Sequence, residues 1–269
     1  MVLVPSLINP PRILDLDEEV SLTGAIASFG NHVLLVDWGP AKERSELNVA
    51  RHVEDLLVPL LRSMNGPVTL IGYCLGGTMA IAAANLIEVE RVVTLAAPWN
   101  FAAYPESSHR ALHNMWHHAE PAARNLGALP MEVLQAAFWS LDPDRTVRKF
   151  AEFGGLEPDS AQARRFIELE EWANDGEPLP YPAAKELVEE LFGKDLPGSG
   201  AWSVGQRTVS DTVTAPTLHL TAERDFIAPP QTVASGNLVA IPSGHVGMIV
   251  GSARHRLHEE LKAFLTPCR

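Results

Sequence analysis

The sequence predicts an α/β fold, a mostly parallel sheet flanked by helices with a mainly helical cap inserted into it. Three observations predict it. Short apolar runs alternate with segments of helical period, the pattern of parallel strands joined by crossover helices. One of those runs, residues 67–71, passes through Gly-x-Cys-x-Gly into a small-residue helix. Over residues 99–206 no strong strand pattern occurs until the very end.

Taken in order, MVLVPS is a buried strand that stops at Pro5. DLDEEVSLTGAIASFG carries apolar residues at helical spacing, an acidic first turn and a closing Gly30, and predicts a helix. HVLLVDWG is the next strand, and ERSELNVARHVEDLLVPLLRSM a longer amphipathic helix. PVTLIG is a strand, GTMAIAAANLI an apolar helix suited to a buried place behind a site, and VERVVTLAAP a further strand. The helical patterns of 99–206 are short and broken by Pro and Gly, and aromatics recur there: Trp99, Phe101, Trp116, Phe138, Trp139, Trp172 and Trp202. APTLHLTAERD and GNLVAIPSGH then resume the sheet, and SARHRLHEELKAFL is a terminal helix. The core is therefore expected in residues 1–98 and 207–269, and the cap in 99–206.

With 269 residues, 46% of them apolar and 20% charged, the chain suits one large domain with an insertion. A net charge of −12 argues against a broad nucleic-acid surface, which needs a basic face. The two cysteines, Cys74 and Cys268, lack CxxC neighbours, which points to a reducing, cytoplasmic setting. The N-terminus has no basic stretch and no small-residue cleavage site, so no signal peptide is expected. No run approaches the roughly twenty apolar residues of a membrane span. His109, His113 and His117 fall at i, i+4 and i+8, a spacing that can bind zinc. No neighbouring Cys or paired acid completes a site, and Glu120 is the only nearby carboxylate, so they read as a solvated or cap-lining helix face. No metal and no cofactor is expected.

The chemistry centres on GYCLGG, residues 72–77. A strand entering a helix through Gly-x-Cys-x-Gly forces a tight, strained turn, with Gly72 and Gly76 leaving room for passing backbone. The nucleophile, Cys74, then lies at a helix N-terminus, where the dipole favours a thiolate. The Leu75 N–H points at a developing oxyanion, and the loop PSLINPP after the first strand offers Ser6 or Leu7 as second donor. Downstream, Asp225 follows one predicted strand and His245 the next, the order that an elbow nucleophile requires. His245 is the expected base and Asp225 its orienting acid, although the ERD turn also offers Glu223.

The blocks VPSLINPPRILDL, VDWG, GYCLGGT, TLAAPWNF, EWANDGEPLP, RDFIAP and SGHVGMIVG, in this order, resemble the catalytic domain of the polyhydroxyalkanoate synthases from Val4 to about Gly251. GYCLGGT alone is also similar to the cysteine elbow of dienelactone hydrolases; SLINPPRILDL and the Trp-x-Asn-Asp-Gly block at Trp172 are more specific. The resemblance implies an α/β-hydrolase fold, a Cys74–Asp225–His245 triad, hydroxyacyl-CoA substrates, an acyl-thioenzyme and a homodimer. Phe226 departs from it, since these synthases commonly carry His after the acid. So does VGMIVG after His245, and the chain begins inside the first matched strand, without the long N-terminal domain of these synthases. A thiol suits that chemistry: attack on a CoA thioester exchanges one thioester for another, and the acyl group stays activated for a hydroxyl acceptor. The expected activity is synthase-like acyl transfer. A cysteine-dependent esterase, thioesterase or polyester depolymerase is the alternative, and a catalytically idle polyester-binding protein is a third reading.

Overall fold

The computed structural model describes residues 1–266. Six strands form one sheet in the order β6-β5-β4-β3-β1-β2. They are β1 (Val2–Val4), β2 (Leu34–Leu35), β3 (Thr69–Tyr73), β4 (Arg91–Leu95), β5 (Thr217–Ala222) and β6 (Asn237–Ile241). Every pairing is parallel; Val2 stands opposite Leu34 on one side and Leu70 on the other. The central strands are mostly apolar and almost wholly buried because both faces are covered. Val2, Val4, Leu70 and Val92 face one hydrophobic cluster, and the alternating Leu3, Ile71, Val93 and Leu220 face the other.

Helices α1 (Leu22–Ala27), α2 (residues 49–62) and α3 (Leu75–Leu86) make the first crossovers. Two of them differ from the sequence expectation. The acidic stretch before α1 is a turn: the Asp17 carboxylate accepts from the N–H groups of Glu19 and Val20, and the helix starts only after Ser21, whose hydroxyl accepts from Gly24. Short Asp side chains that bond nearby backbone compete with helix in this way. The α2 run starts at Asn48, a side-chain cap for Arg51, and not at Glu43. Its middle, His52–Leu57, widens into a π-helix just before Pro59, whose ring and missing N–H disrupt regular α bonding.

Between β4 and β5 the chain leaves the sheet. It forms α4 (Glu106–Leu126), α5 (Met131–Ser140), α6 (Pro143–Gly154), α7 (Ala161–Asn174) and α8 (residues 181–192). Two strand pairs, Ala128–Leu129 with Leu179–Pro180 and Ser203–Val204 with Arg207–Thr208, tie this stretch to itself. It shares one hydrophobic cluster with α2 and α3 through Phe101, Leu129, Leu187 and Trp202. Glu186 joins the two parts: its buried carboxyl accepts from Trp202 Nε1 at 2.9 Å and from the N–H of Ala50, in α2, at 3.0 Å. The chain closes with α9 (Gly247–Val250) and α10 (Arg254–Leu265) on the other face. Among the described residues no helix is long and apolar enough to cross a membrane. Cys268 lies outside the described residues.

Candidate active site

Cys74 is the residue that turns the chain from β3 into α3. With no loop between strand and helix, its backbone takes φ 54° and ψ −130°, outside the regions open to ordinary residues. The turn is held from both sides: the Cys74 N–H donates to Leu95 O at 2.9 Å, and its carbonyl accepts from Gly77 at 2.8 Å. A Cβ at Gly76 would overlap the carbonyl oxygens of Val4 and Pro5, and one at Gly72 would overlap the Gly76–Gly77 backbone. The glycines are therefore required by close approach of three backbone segments.

The sheet order places this turn at a topological switch point. From β1 the chain goes out to β2, then returns to β3 on the other side of β1, so the loops after β1 and β3 diverge at adjacent strand ends. Open parallel sheets carry their ligand crevice there. Ser6, in the loop after β1, lines a cavity together with Cys74. Leu7 turns its side chain into the core, and Leu75 opens α3 against a second cavity.

Asp225 and His245 arrive from the ends of β5 and β6, both buried. Asp225 Oδ1 accepts from the N–H groups of Ile227 and Ala228, each at 2.8 Å, and Oδ2 meets His245 Nδ1 at 2.7 Å. With Nδ1 so engaged, the other ring nitrogen is the one left to hydrogen-bond the Cys74 side chain. Burial works against charge on the imidazole, but the Asp225 and Cys74 charges and hydrogen bonds outweigh it and raise its pKa to about 10. Glu223, the other acid of the turn, is exposed. Tyr73 packs its ring 5.0 Å from that of His245 and donates its hydroxyl to the His245 carbonyl at 3.3 Å. Tyr104 donates to Ile227 O at 2.8 Å. Burial, and then the charges of Cys74 and Asp225, push both phenols well above their ordinary pKa, so they stay neutral donors.

Two cavities meet at the sulfur-bearing residue. One, of about 190 Å³, is lined by Cys74, His245 and polar groups that include Asn9, Gln135, Thr146 and Lys149. The other, of about 120 Å³, is lined almost wholly by apolar side chains such as Leu112, Met115, Leu134, Leu187 and Phe192. Ile8, Phe138, Leu141 and Ile227 touch both and stand between them. Of these, Phe138 belongs to the recurring aromatics, Ile8 and Ile227 lie in the VPSLINPPRILDL and RDFIAP blocks, and Leu141 had no sign in the sequence. Trp172 lines the first cavity. His109 packs against Tyr104 and Phe192. Among the described residues no group of three His, Cys, Asp or Glu side chains lies close enough to hold a metal ion.

A model of the alpha/beta hydrolase family matches residues 3–260. The chain is similar to the poly(3-hydroxyalkanoate) polymerase subunit PhaC of Haloarcula marismortui, with 25% identity over 95% of this chain and 58% of that protein. It is similar to the PhaC subunit of Synechocystis, with 26% identity over 95% of this chain and 74% of that protein. The chain thus spans just over half the length of the haloarchaeal relative. Among solved structures, an extracellular alpha/beta-hydrolase from a Paenibacillus species superposes with a TM-score of 0.59 at 12% identity, over 97% of each chain. A hydrolase from Pseudomonas aeruginosa superposes with a TM-score of 0.58 at 15% identity, over 99% of this chain and 89% of that one. At such identities the superpositions speak for the fold alone.

Proposed function

Because the chain belongs to the alpha/beta hydrolase family, we propose that Cys74, His245 and Asp225 are its nucleophile, base and orienting acid, and that it transfers hydroxyacyl groups from CoA thioesters in the manner of a polyhydroxyalkanoate synthase. The Cys74 thiol gives its proton to His245, its sulfur attacks the thioester carbonyl, and the electron pair moves onto the oxygen. It returns as the bond to CoA sulfur breaks, and His245 supplies the proton that the departing thiol takes up. The oxyanion is met by the Leu75 N–H and by an N–H of the Ser6–Leu7 loop. An acceptor hydroxyl then attacks the acyl-thioenzyme, gives its proton to His245 and leaves as an oxoester, which restores the thiol. The helical excursion of 99–206 acts as the cap that houses the acyl group.

The observation that carries this reading is the meeting of two cavities at one cysteine. Transfer needs two organic partners at the same sulfur, and an apolar chamber beside a mixed one offers each a place. The relatives named as poly(3-hydroxyalkanoate) polymerase subunits support the substrate class. Hydrolysis is the second reading. It is favoured by Phe226, half exposed at the rim of the first cavity, and by the polar lining behind it, which open a route for water.

The acyl-enzyme lifetime separates the two. The adduct is formed with 3-hydroxybutyryl-CoA, excess substrate is removed, and its mass is followed with and without a hydroxyacid acceptor. Acceptor-accelerated decay to an ester-linked product supports transfer. Rapid decay to free acid, indifferent to acceptor, makes the protein a thiol hydrolase.

A further inference from the structure

The loop after β1 is anchored through its carbonyl groups. Pro5, Pro10 and Pro11 have no N–H to contribute. Instead Pro5 O accepts from Trp38 Nε1 at 3.2 Å, and Pro10 O accepts from Trp172 Nε1 at 2.9 Å. Asn9 Nδ2 donates to Ala173 O at 3.2 Å, and Arg12 pairs with Asp175 at 2.7 Å. Gly176 completes the seam, since a Cβ there would come within 2.6 Å of Met131 Sδ and 2.8 Å of Ile8 O. On its inner side the same loop is pressed against Gly76 by the Val4 and Pro5 carbonyls. The loop is thus gripped at both ends by an indole donor and braced on its middle by the 172–176 turn.

In a trans peptide the carbonyl and the following N–H point in opposite directions within one plane. The described peptide bonds are all trans. A bond that holds Pro5 O toward Trp38 therefore fixes the plane of the Pro5–Ser6 peptide, in the part of the loop that lines the cavity holding Cys74. We propose that Trp38 and Trp172 are positioning residues, whose indole N–H groups hold the loop so that a backbone N–H of its Ser6–Leu7 stretch meets the oxyanion formed on Cys74's substrate. This rests on the reading of Cys74 as an acyl-accepting nucleophile. It accounts for the hold on the loop that carries both candidate second donors, Ser6 and Leu7. It also makes Trp38 and the Trp172–Gly176 block, far apart in sequence, two halves of one clamp.

The test compares two reactions of the same sulfur. Acylation by p-nitrophenyl butyrate forms the S–C bond, breaks the bond between the acyl carbon and the aryloxy oxygen, and releases nitrophenolate through a tetrahedral oxyanion. Alkylation by iodoacetamide displaces iodide at a saturated carbon and forms no oxyanion. Trp38→Phe and Trp172→Phe keep an aromatic ring and remove the donor, with some loss of packing volume. Each is expected to slow the nitrophenolate burst by about 10- to 100-fold, as misplacement of one oxyanion donor does, while alkylation of Cys74 stays within about twofold of wild type. Gly176→Ala, which pushes on Ile8 O, is expected to give the same split and serves if a tryptophan variant does not fold. A parallel fall in both reactions, or an unchanged burst, overturns the clamp. A wild-type enzyme that alkylates at Cys74 but shows no burst overturns the nucleophile reading itself.

Discussion

At Cys74 a side chain sits on backbone angles of φ 54° and ψ −130°, where a Cβ is strained by about 1–3 kcal/mol. That strain lifts the sulfur out of the sheet into the space that His245 and Ser6 border. On the proposed reading the same residue lowers stability and supplies the nucleophile, and the two effects separate by mutation. Cys74→Gly is expected to raise the unfolding free energy by about 1 kcal/mol while abolishing turnover; a variant no more stable than wild type in urea would show that the neighbouring bonds, not the angles, dominate. Asp225 acts one step further back. Its Oδ2 fixes the His245 tautomer, so Asp225→Asn is expected to lower acylation by up to about 10⁴-fold, with Glu223→Gln near wild type. The reverse pattern in single-turnover rates would reassign the acid.

Within elements, a buried polar side chain can tie stability to pH. In the π segment of α2, His52 is fully buried and places Nδ1 2.7 Å from Asn48 O and Nε2 3.2 Å from Arg44 Nη1. Only the neutral ring, donating at Nδ1 and accepting at Nε2, satisfies both neighbours. Burial lowers its pKa to about 4, with the Arg44 charge adding to the effect. A depressed folded-state value means that the unfolded chain binds the proton more tightly. The stability from neutral His52 is therefore complete above its ordinary pKa of 6.5 and is lost as pH falls towards about 4. Urea midpoints at pH 7 and pH 5 are expected to differ less in His52→Gln than in wild type; equal differences would place the acid sensitivity elsewhere. The ring also packs edge-on against Trp38, at 5.9 Å, so this element supports the loop beside Cys74.

For the whole molecule, what counts is how the helical excursion divides the space above the sheet. Phe138 and Leu141, at the end of α5, reach down between the two cavities towards Ile8 and Ile227. They border the apolar chamber on the side where polar groups collect. Phe138→Ala is expected to merge the cavities, to shorten the acyl-enzyme lifetime by about tenfold or more, an order-of-magnitude figure for exposing a shielded reaction centre to water, and to raise the share of free acid among products. The mass-resolved decay described above measures both. An unchanged lifetime would mean that water does not cross at this partition.

The strand-to-helix cysteine, its two glycines and the ordered Asp and His were readable in the chain because each is a local event. A parallel sheet repeats one strand–crossover unit, and its site residues always follow strand ends. Where the helices began was less legible: the carboxylate of Asp17 and the side chain of Asn48 settle α1 and α2 by bonds of a few residues' span, and the apolar pattern does not record such bonds. Three further features had no local sign at all. The division of space at Cys74, the grip of Trp38 and Trp172 on a loop more than thirty residues away, and the Glu186 joint between α8 and α2 all arise from contacts between distant segments. Sequence by itself marked, through spacing and order, the residues proposed to carry the chemistry. Tertiary structure alone decided how that chemistry is enclosed and aimed, because burial, cavity shape and long-range hydrogen bonds exist only once the segments have packed.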